Sequence, residues 1–213
     1  TLFALSLLAA AQANATLTLC EGPSGCTIQG SGIENVLMPA VGTTGFLIQG
    51  TTNQSNTVID FTSLETMIVT GSGQAKLGAV DGSLDIVNIA ANAADIGFLD
   101  FIFNVHATET GSINVSAIDN FGTVFDFGAR AASENGQNFF TISSLDDQFI
   151  KSVTISGVGI TGIDDLQQVR VDPATLPGGD PDPQAVPVPA AAWLFGSALL
   201  GLGGIARRRA STK

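Results

Sequence analysis

Two pairs of adjacent aspartates are the side chains of this sequence best suited to chemistry. Asp146 and Asp147 precede one predicted strand, and Asp164 and Asp165 precede the last one. Calcium prefers six to eight hard oxygen ligands, so these four carboxylates are candidate calcium ligands, with turn capping in solvent as the alternative. Because neighbouring residues of a strand point to opposite faces, neither pair by itself provides the two facing carboxylates of a glycosidase.

His106 is the one histidine of the chain, so any Ser–His–Asp or Cys–His relay would have to be built on it. It lies at the end of a predicted strand beside a turn, and we interpret it as a solvated side chain. The sequence has no G-x-S-x-G, HExxH, CxxC or GxxxxGK[ST] motif and no tyrosine, and its only tryptophan is Trp193. We therefore predict that the protein is not an enzyme and needs no cofactor, with bound calcium as the alternative.

The two cysteines, Cys20 and Cys26, enclose the short sequence EGPSG. In an oxidising compartment such a pair forms a small-loop disulfide, and the glycines and proline between the cysteines help the turn to close. Metal binding is the alternative, but no histidine or second cysteine pair lies nearby in the sequence. We predict a disulfide that fixes the beginning of the mature chain.

The middle of the chain has the period-two pattern of β-strands, with apolar side chains alternating with polar ones. The side chains expected to face the core are Leu99, Phe101, Phe103, Val105, Ile113, Val115, Ala117, Phe121, Phe125, Phe127, Phe149, Lys151, Val153, Ile155, Val169 and Val171. Those expected on the opposite, water-facing side are Asp100, Asn104, His106, Asp126, Gln168 and Arg170.

Ten or eleven such strands, with turn signals between them and no amphipathic helix before Pro187, predict an all-β fold. The simplest arrangement is a jelly-roll-like β-sandwich spanning residues 16–172. The stretch that begins at Asn138 also resembles, in its cadence, the closing strands of jelly-roll domains. A β-solenoid is the main alternative, although the sequence shows no fixed repeat period.

The predicted β-sandwich and the segment that follows it are strongly acidic. All 19 acidic residues lie between Glu21 and Asp182, and that span contains only four basic residues. Nucleic-acid binding needs clusters of Lys and Arg against the phosphates, so we exclude nucleic acid as a partner. An acidic surface of this kind suits an exported protein.

Both ends of the chain have the features of an exported protein. Residues 1–15 are an apolar stretch closed by Ala13-Asn14-Ala15, which predicts a signal peptide whose first residues are missing. Residues 173–185 are rich in Pro, Gly and Asp and predict an extended linker. Residues 186–213 begin with Val186-Pro187-Val188-Pro189-Ala190, continue with an uncharged apolar run, and end in basic residues.

That apolar run predicts a single transmembrane helix, since about 17 residues reach across the thin end of a hydrocarbon core. Its anchoring residues are Trp193, Leu194, Phe195, Gly196, Leu199 and Leu200. Arg207, Arg208 and Arg209 follow directly and predict a cytoplasmic stop-transfer cluster. The predicted topology places the body outside the membrane and the arginines inside.

The C-terminal segment resembles the PEP-CTERM sorting signal of Gram-negative bacteria, in its VPxPA variant. Val188 stands where the family name has glutamate, which leaves the subtype of sorting enzyme open. The resemblance implies processing by an exosortase at residues 186–190, after an intermediate in the inner membrane. It also implies a final location at the cell surface or in the extracellular polysaccharide matrix.

Three functions are compatible with the sequence. The leading hypothesis is an exported, surface-sorted and non-enzymatic protein of the bacterial envelope or biofilm matrix. The second is a carbohydrate-binding β-sandwich module, dependent on calcium or not, for which the extracellular polysaccharide would be the partner; the shortage of Trp and Tyr opposes it. The third is a hydrolase, which a carboxylate cleft would be needed to support.

Overall fold

Twelve strands and no helix make up the part of the chain that the computed structural model describes, residues 16–22, 28, 30–134, 137–145, 148–159 and 161–176. These residues belong to one unit, Thr1–Pro177. The strands are β1 (Leu17–Glu21), β2 (Glu34–Leu37), β3 (Thr44–Thr52), β4 (Val58–Val69), β5 (Lys76–Ala79), β6 (Ile86–Ala91), β7 (Ile96–Ala107), β8 (Gly111–Asp119), β9 (Val124–Ala132), β10 (Asn138–Ser144), β11 (Ile150–Gly157) and β12 (Ile163–Thr175).

All pairings between these strands are antiparallel. One series runs β1-β10-β7-β12-β2 and a second runs β3-β4-β6-β11-β8-β9, while β5 pairs with β12 and β4. The series meet where β2 pairs with β3, and where Ile150 of β11 pairs with Phe98 of β7. Since a β-solenoid stacks parallel strands in successive rungs, that alternative is wrong, and the fold is the predicted all-β, sandwich- or barrel-like one.

Phenylalanine supplies much of the core, and Phe101 and Phe103 are buried as predicted. Phe98, Phe101, Phe103 and Phe140 are all essentially inaccessible to solvent. Their rings form a continuous row with successive centroid distances of 5.8, 5.7 and 5.2 Å. Truncating one such side chain to alanine costs about 3–5 kcal/mol of stability, so this row anchors β7 and β10 to the rest of the domain.

The predicted core-facing sets of β8 and β12 are confirmed. Ile113, Val115 and Ala117 are buried, and so are Val169 and Val171. β12 continues to Thr175, three residues beyond Asp172, and therefore extends into the segment predicted as linker.

Four predicted core-facing residues belong neither to the buried core nor to the partly buried residues packed against it, and two of them, Leu99 and Phe149, are half-buried. Phe121 is in the turn between β8 and β9 and is 58% exposed, because Asp119 and Gly122 close that turn around it. Lys151 is the extra residue at an irregularity of β11, and its Nζ donates hydrogen bonds to the main-chain oxygens of Ala94 and Ile96. Burial lowers the pKa of Lys151, and the charge of Asp95 partly opposes this shift.

The prediction that Asp100 and Asn104 face water is wrong. Both are buried, although their side chains lie on the opposite face of β7 from Phe101 and Phe103. The main-chain N–H of Gly30 donates a 2.8 Å hydrogen bond to Asp100, so the segment before β2 lies against this face. The outward face of β7 is therefore a second, polar buried region.

Candidate functional site

A row of polar side chains crosses five strands on the outward face of the second series. Register places Thr62 of β4 beside Asn88 of β6, Asn88 beside Thr154 of β11, Thr154 beside Ser116 of β8, and Ser116 beside Asp126 of β9. Adjacent strands lie about 4.8 Å apart, so the row is roughly 19 Å long. We call these five residues the polar row.

The polar row offers both hydrogen-bond donors and acceptors. Asn88 Nδ2 donates to Thr154 Oγ1 at 2.9 Å, which fixes the orientation of the amide in the middle of the row. Asp126 accepts the main-chain N–H of Gly128 through Oδ1 at 2.8 Å. Thr62 and Asp126, at the two ends, are exposed to solvent.

Two shallow grooves border the polar row. The first has a volume of about 290 Å³ and is lined by Asn114, Ser116, Val124, Asp126, Thr154 and Ser156. The second has a volume of about 170 Å³ and is lined by Thr62, Ser63, Leu64, Ile86 and Asn88. Five of the six residues that line the first groove carry a hydroxyl, amide or carboxylate group, so the groove offers several hydrogen-bonding groups.

Exposed apolar side chains flank the polar row at both ends. Ile118 and Val124 pair across β8 and β9, and Phe121 projects from the turn that joins these strands. At the other end, Leu64 is 90% exposed and Leu47 of β3 pairs with Thr62. The polar row is thus bordered by exposed apolar surface at both of its ends.

Buried carboxylates form a second region, on β2, β7 and β12. Asp100 accepts a 2.6 Å hydrogen bond from Ser143 Oγ in addition to the one from Gly30. Asp172 accepts one from the main-chain N–H of Gly32 at 3.3 Å. A Cβ atom added to Gly30 would overlap the carboxyl group of Asp172, so only glycine fits there without displacement.

The pKa values of two of these carboxyl groups shift in opposite directions. Burial raises the pKa of Asp172, and the charges of Asp100 and Glu34 raise it further against one hydrogen bond from Gly32. Burial would also raise the pKa of Glu34, but hydrogen bonds from Ser55, Thr52 and Gln54 outweigh it and the pKa is lowered. The hydrogen bonds around Glu34 thus stabilise its carboxylate form, whereas the surroundings of Asp172 disfavour its carboxylate form relative to a solvated aspartate.

Two of the four predicted calcium ligands, Asp164 and Asp165, lie in the described part of the chain. Asp164 is exposed and Asp165 is buried, and both lie within β12 rather than before it. Their ligand atoms lie within 4.8 Å of each other and of His106. Asp146 and Asp147 lie outside the described residues.

Asp165 already has protein partners. Its Oδ1 accepts a 2.7 Å hydrogen bond from Thr70 Oγ1, and its Oδ2 lies 3.2 Å from Lys76 Nζ. The positive charge of Lys76 therefore partly balances the carboxylate charge of Asp165 without a metal ion. The position of His106 beside these aspartates could not be predicted from the sequence, since β7 and β12 are far apart in the chain and no local pattern reports their register.

Many of the predicted site residues lie outside the described part of the chain. Cys20 is disulfide-bonded, while Cys26 is not among the described residues. The same is true of the signal peptide (1–15), the sorting motif (186–190), the anchoring residues from Trp193 to Leu200, and Arg207 to Arg209. Among the described residues, no helix is long and apolar enough to cross a membrane.

Comparisons with known proteins provide little further information about these regions. No protein-family model matches the chain, and no curated protein sequence matches it. A solved structure that it resembles is a family 29 carbohydrate-binding module from Piromyces equi, at 11% sequence identity and a TM-score of 0.29. The match covers 74% of this chain and 90% of that one. At that TM-score the likeness assigns no function.

Proposed function

We propose that the chain is an exported, surface-sorted and non-enzymatic protein of the bacterial envelope or polysaccharide matrix. The observation that carries this proposal is the order of features in residues 186–213: the Val186-Pro187-Val188-Pro189-Ala190 motif, an uncharged apolar run, and Arg207 to Arg209. In this proposal an exosortase processes the chain at that motif while it is held in the inner membrane. The body then reaches the cell surface or the matrix.

Intact-mass spectrometry of the protein recovered from its native surface tests this proposal. The expected mass begins near Thr16, ends near Pro187, and is two hydrogens light because of the disulfide. Replacing Pro187 and Pro189 with alanine is expected to leave a longer, membrane-retained form. A native mass that still contains Trp193 and the arginines, or an unchanged mass in the double variant, would show that the segment is a plain anchor.

The domain itself supports a second candidate function, carbohydrate binding. The observation in its favour is the polar row, in which side chains of five strands present hydroxyl, amide and carboxylate groups beside exposed apolar residues. Sugars combine ring hydroxyls with apolar faces, and such a surface matches both. The jelly-roll arrangement and a role for calcium belong to this proposal as well.

The charge of the chain narrows the class of carbohydrate. The sequence carries 19 acidic and 8 basic residues, and Asp126 stands at one end of the polar row. An acidic surface repels polyanions, because like charges brought together across an interface cost free energy. The proposed ligand is therefore a neutral or amino-sugar polysaccharide, rather than a uronic-acid or sulfated one.

A glycan array followed by calorimetry tests carbohydrate binding, with and without calcium. The informative variant is Thr154→Val, which removes the hydroxyl group at the centre of the polar row and keeps the shape of the side chain. Its matched control is Thr44→Val, at an exposed position of β3 outside the row. We expect Thr154→Val to weaken binding roughly 5- to 10-fold, as for loss of about one hydrogen bond, and Thr44→Val to leave it unchanged. A folded protein that binds no glycan, or equal effects of the two variants, would refute the proposal.

A further inference from the structure

The one histidine of the chain and two aspartates come together at one end of β7 and β12. His106 pairs with Asp165 in the antiparallel register, and a bulge separates Ile163 from Asp165 on β12. Adjacent strand residues normally point to opposite faces, but the extra residue of a bulge re-aims a side chain. The ligand atoms of His106, Asp164 and Asp165 consequently all lie within 4.8 Å of one another.

A buried amide beside this group supplies an independent observation. Asn104 occupies the preceding position on the same face of β7, opposite Gln167, one rung away from the His106–Asp165 pair. It is 1% exposed, and both Nδ2 and Oδ1 lack a hydrogen-bond partner in the described part of the chain. Buried polar side chains are rarely left unpaired, so the amide of Asn104 has hydrogen-bonding capacity to offer a ligand at this end of β7.

We infer that His106, Asp164 and Asp165 bind a divalent cation of the zinc class, with the Asn104 amide holding a water bound to it. One imidazole nitrogen and two carboxylate oxygens are ligands that zinc accepts, and three protein ligands leave a position for water. Calcium takes six to eight oxygens and does not select imidazole. The metal would join β7 to β12 where the register is irregular.

Two neighbouring residues, Lys76 and Gly78, affect how a metal ion would bind at this site. Lys76 Nζ lies 3.2 Å from Asp165 Oδ2, and its side chain is 40% exposed, so it can swing into solvent when a cation replaces it. Gly78 of β5 packs against the main-chain oxygen of Asp164, where an added Cβ would approach to 2.7 Å. Lys76 is therefore a competitor of the metal, and Gly78 keeps room for the bulged backbone.

Zinc titration of the full chain, without a histidine tag and in detergent, tests the inference. We expect one zinc ion per chain by calorimetry, with binding weakened at least roughly tenfold by His106→Gln or Asp164→Asn. Lys76→Gln is expected to tighten binding, since it removes the competing charge. Asp81→Asn, at an exposed turn, is the matched control and should leave zinc binding unchanged.

A spectroscopic readout distinguishes this site from adventitious zinc. Because the chain has one histidine, any change of imidazole nitrogen chemical shifts on zinc addition reports His106 alone. Shifted imidazole signals in the parent chain and in Asp81→Asn would support the site. Absence of binding, binding that His106→Gln leaves intact, or unshifted imidazole signals would overturn it. Asp164 is exposed, so Asp164→Asn keeps the test decisive if His106→Gln does not fold.

Discussion

The outward faces of the two strand series differ in how their polar side chains are used. On β7 and β12, Asp100 and Asp172 are buried and bonded to the main chain of Gly30 and Gly32. On β4, β6, β11, β8 and β9, the polar row remains open to solvent along two grooves. The same alternation of apolar and polar residues thus produces one face whose polar groups are buried and another whose polar groups border open grooves.

The difference comes from what lies over each face. The segment Gly30–Gly32 contacts the carboxyl groups of Asp100 and Asp172, and glycine permits that close approach. A buried carboxylate costs free energy unless it is hydrogen-bonded, so the segment and the carboxylates depend on each other. No comparable segment contacts the polar row among the described residues.

The largest expected contrast compares Asp100→Ala with Asp126→Ala. Removing Asp100 leaves the Gly30 N–H and the Ser143 hydroxyl without their buried acceptor, and each such group costs about 1–3 kcal/mol. Asp126 is exposed, and its replacement should change the free energy of unfolding by no more than about 0.5 kcal/mol. Chemical denaturation of both variants measures the difference. Equal losses would mean that the two faces do not differ in the way described.

Gly30→Ala is expected to have a smaller effect on the same face. Its Cβ would overlap the carboxyl group of Asp172, and relieving such an overlap in a packed region costs about 1–3 kcal/mol. Thermal unfolding of the variant should show the loss, and Asp172→Ala in the same background should recover part of it by removing the obstructing group. A single variant as stable as the parent would show that the segment moves away freely.

The smallest expected effect concerns the pH dependence of stability, to which Asp172 and Glu34 contribute with opposite signs. Since the folded pKa of Asp172 is raised, its contribution to stability is present below the ordinary value of 3.8 and is lost as pH rises through the folded pKa. Asp172→Asn should therefore gain stability relative to the parent as pH rises through that range.

Glu34→Gln provides the opposite case. The folded pKa of Glu34 is lowered, so its contribution is present above the ordinary value of 4.5 and is lost as pH falls through the folded pKa. The loss of stability caused by Glu34→Gln should therefore become smaller as the pH falls. Denaturant unfolding at several pH values checks both variants, and parallel slopes for the two would contradict the assigned shifts.

Much of the fold could be predicted from the sequence because its determinants are local. Alternation identified the inward sets of β8 and β12, because side chains two residues apart on a strand lie on the same face. Phe121 was misassigned because a phenylalanine in a turn continues the same apolar spacing as a strand. Lys151 was misassigned because an irregularity in β11 moves it off the core face.

The candidate sites could not be predicted in the same way. The polar row exists only because registers between β4, β6, β11, β8 and β9 align one residue from each strand, and several of these strands are far apart in the chain. The grouping of His106 with Asp164 and Asp165 depends on a bulge in β12, for which the sequence holds no recognisable signal.

The sequence by itself therefore determined the all-β class, the phenylalanine core and the polar character of the outward faces, since side-chain period and turn chemistry are local properties. The tertiary structure alone decided which polar face is buried and in which direction the pKa values of Asp172 and Glu34 shift. It also decided which residues of distant strands meet. Burial, register and charge proximity arise only when segments far apart in the chain pack together, and these quantities decide whether an aspartate is buried and hydrogen-bonded or exposed.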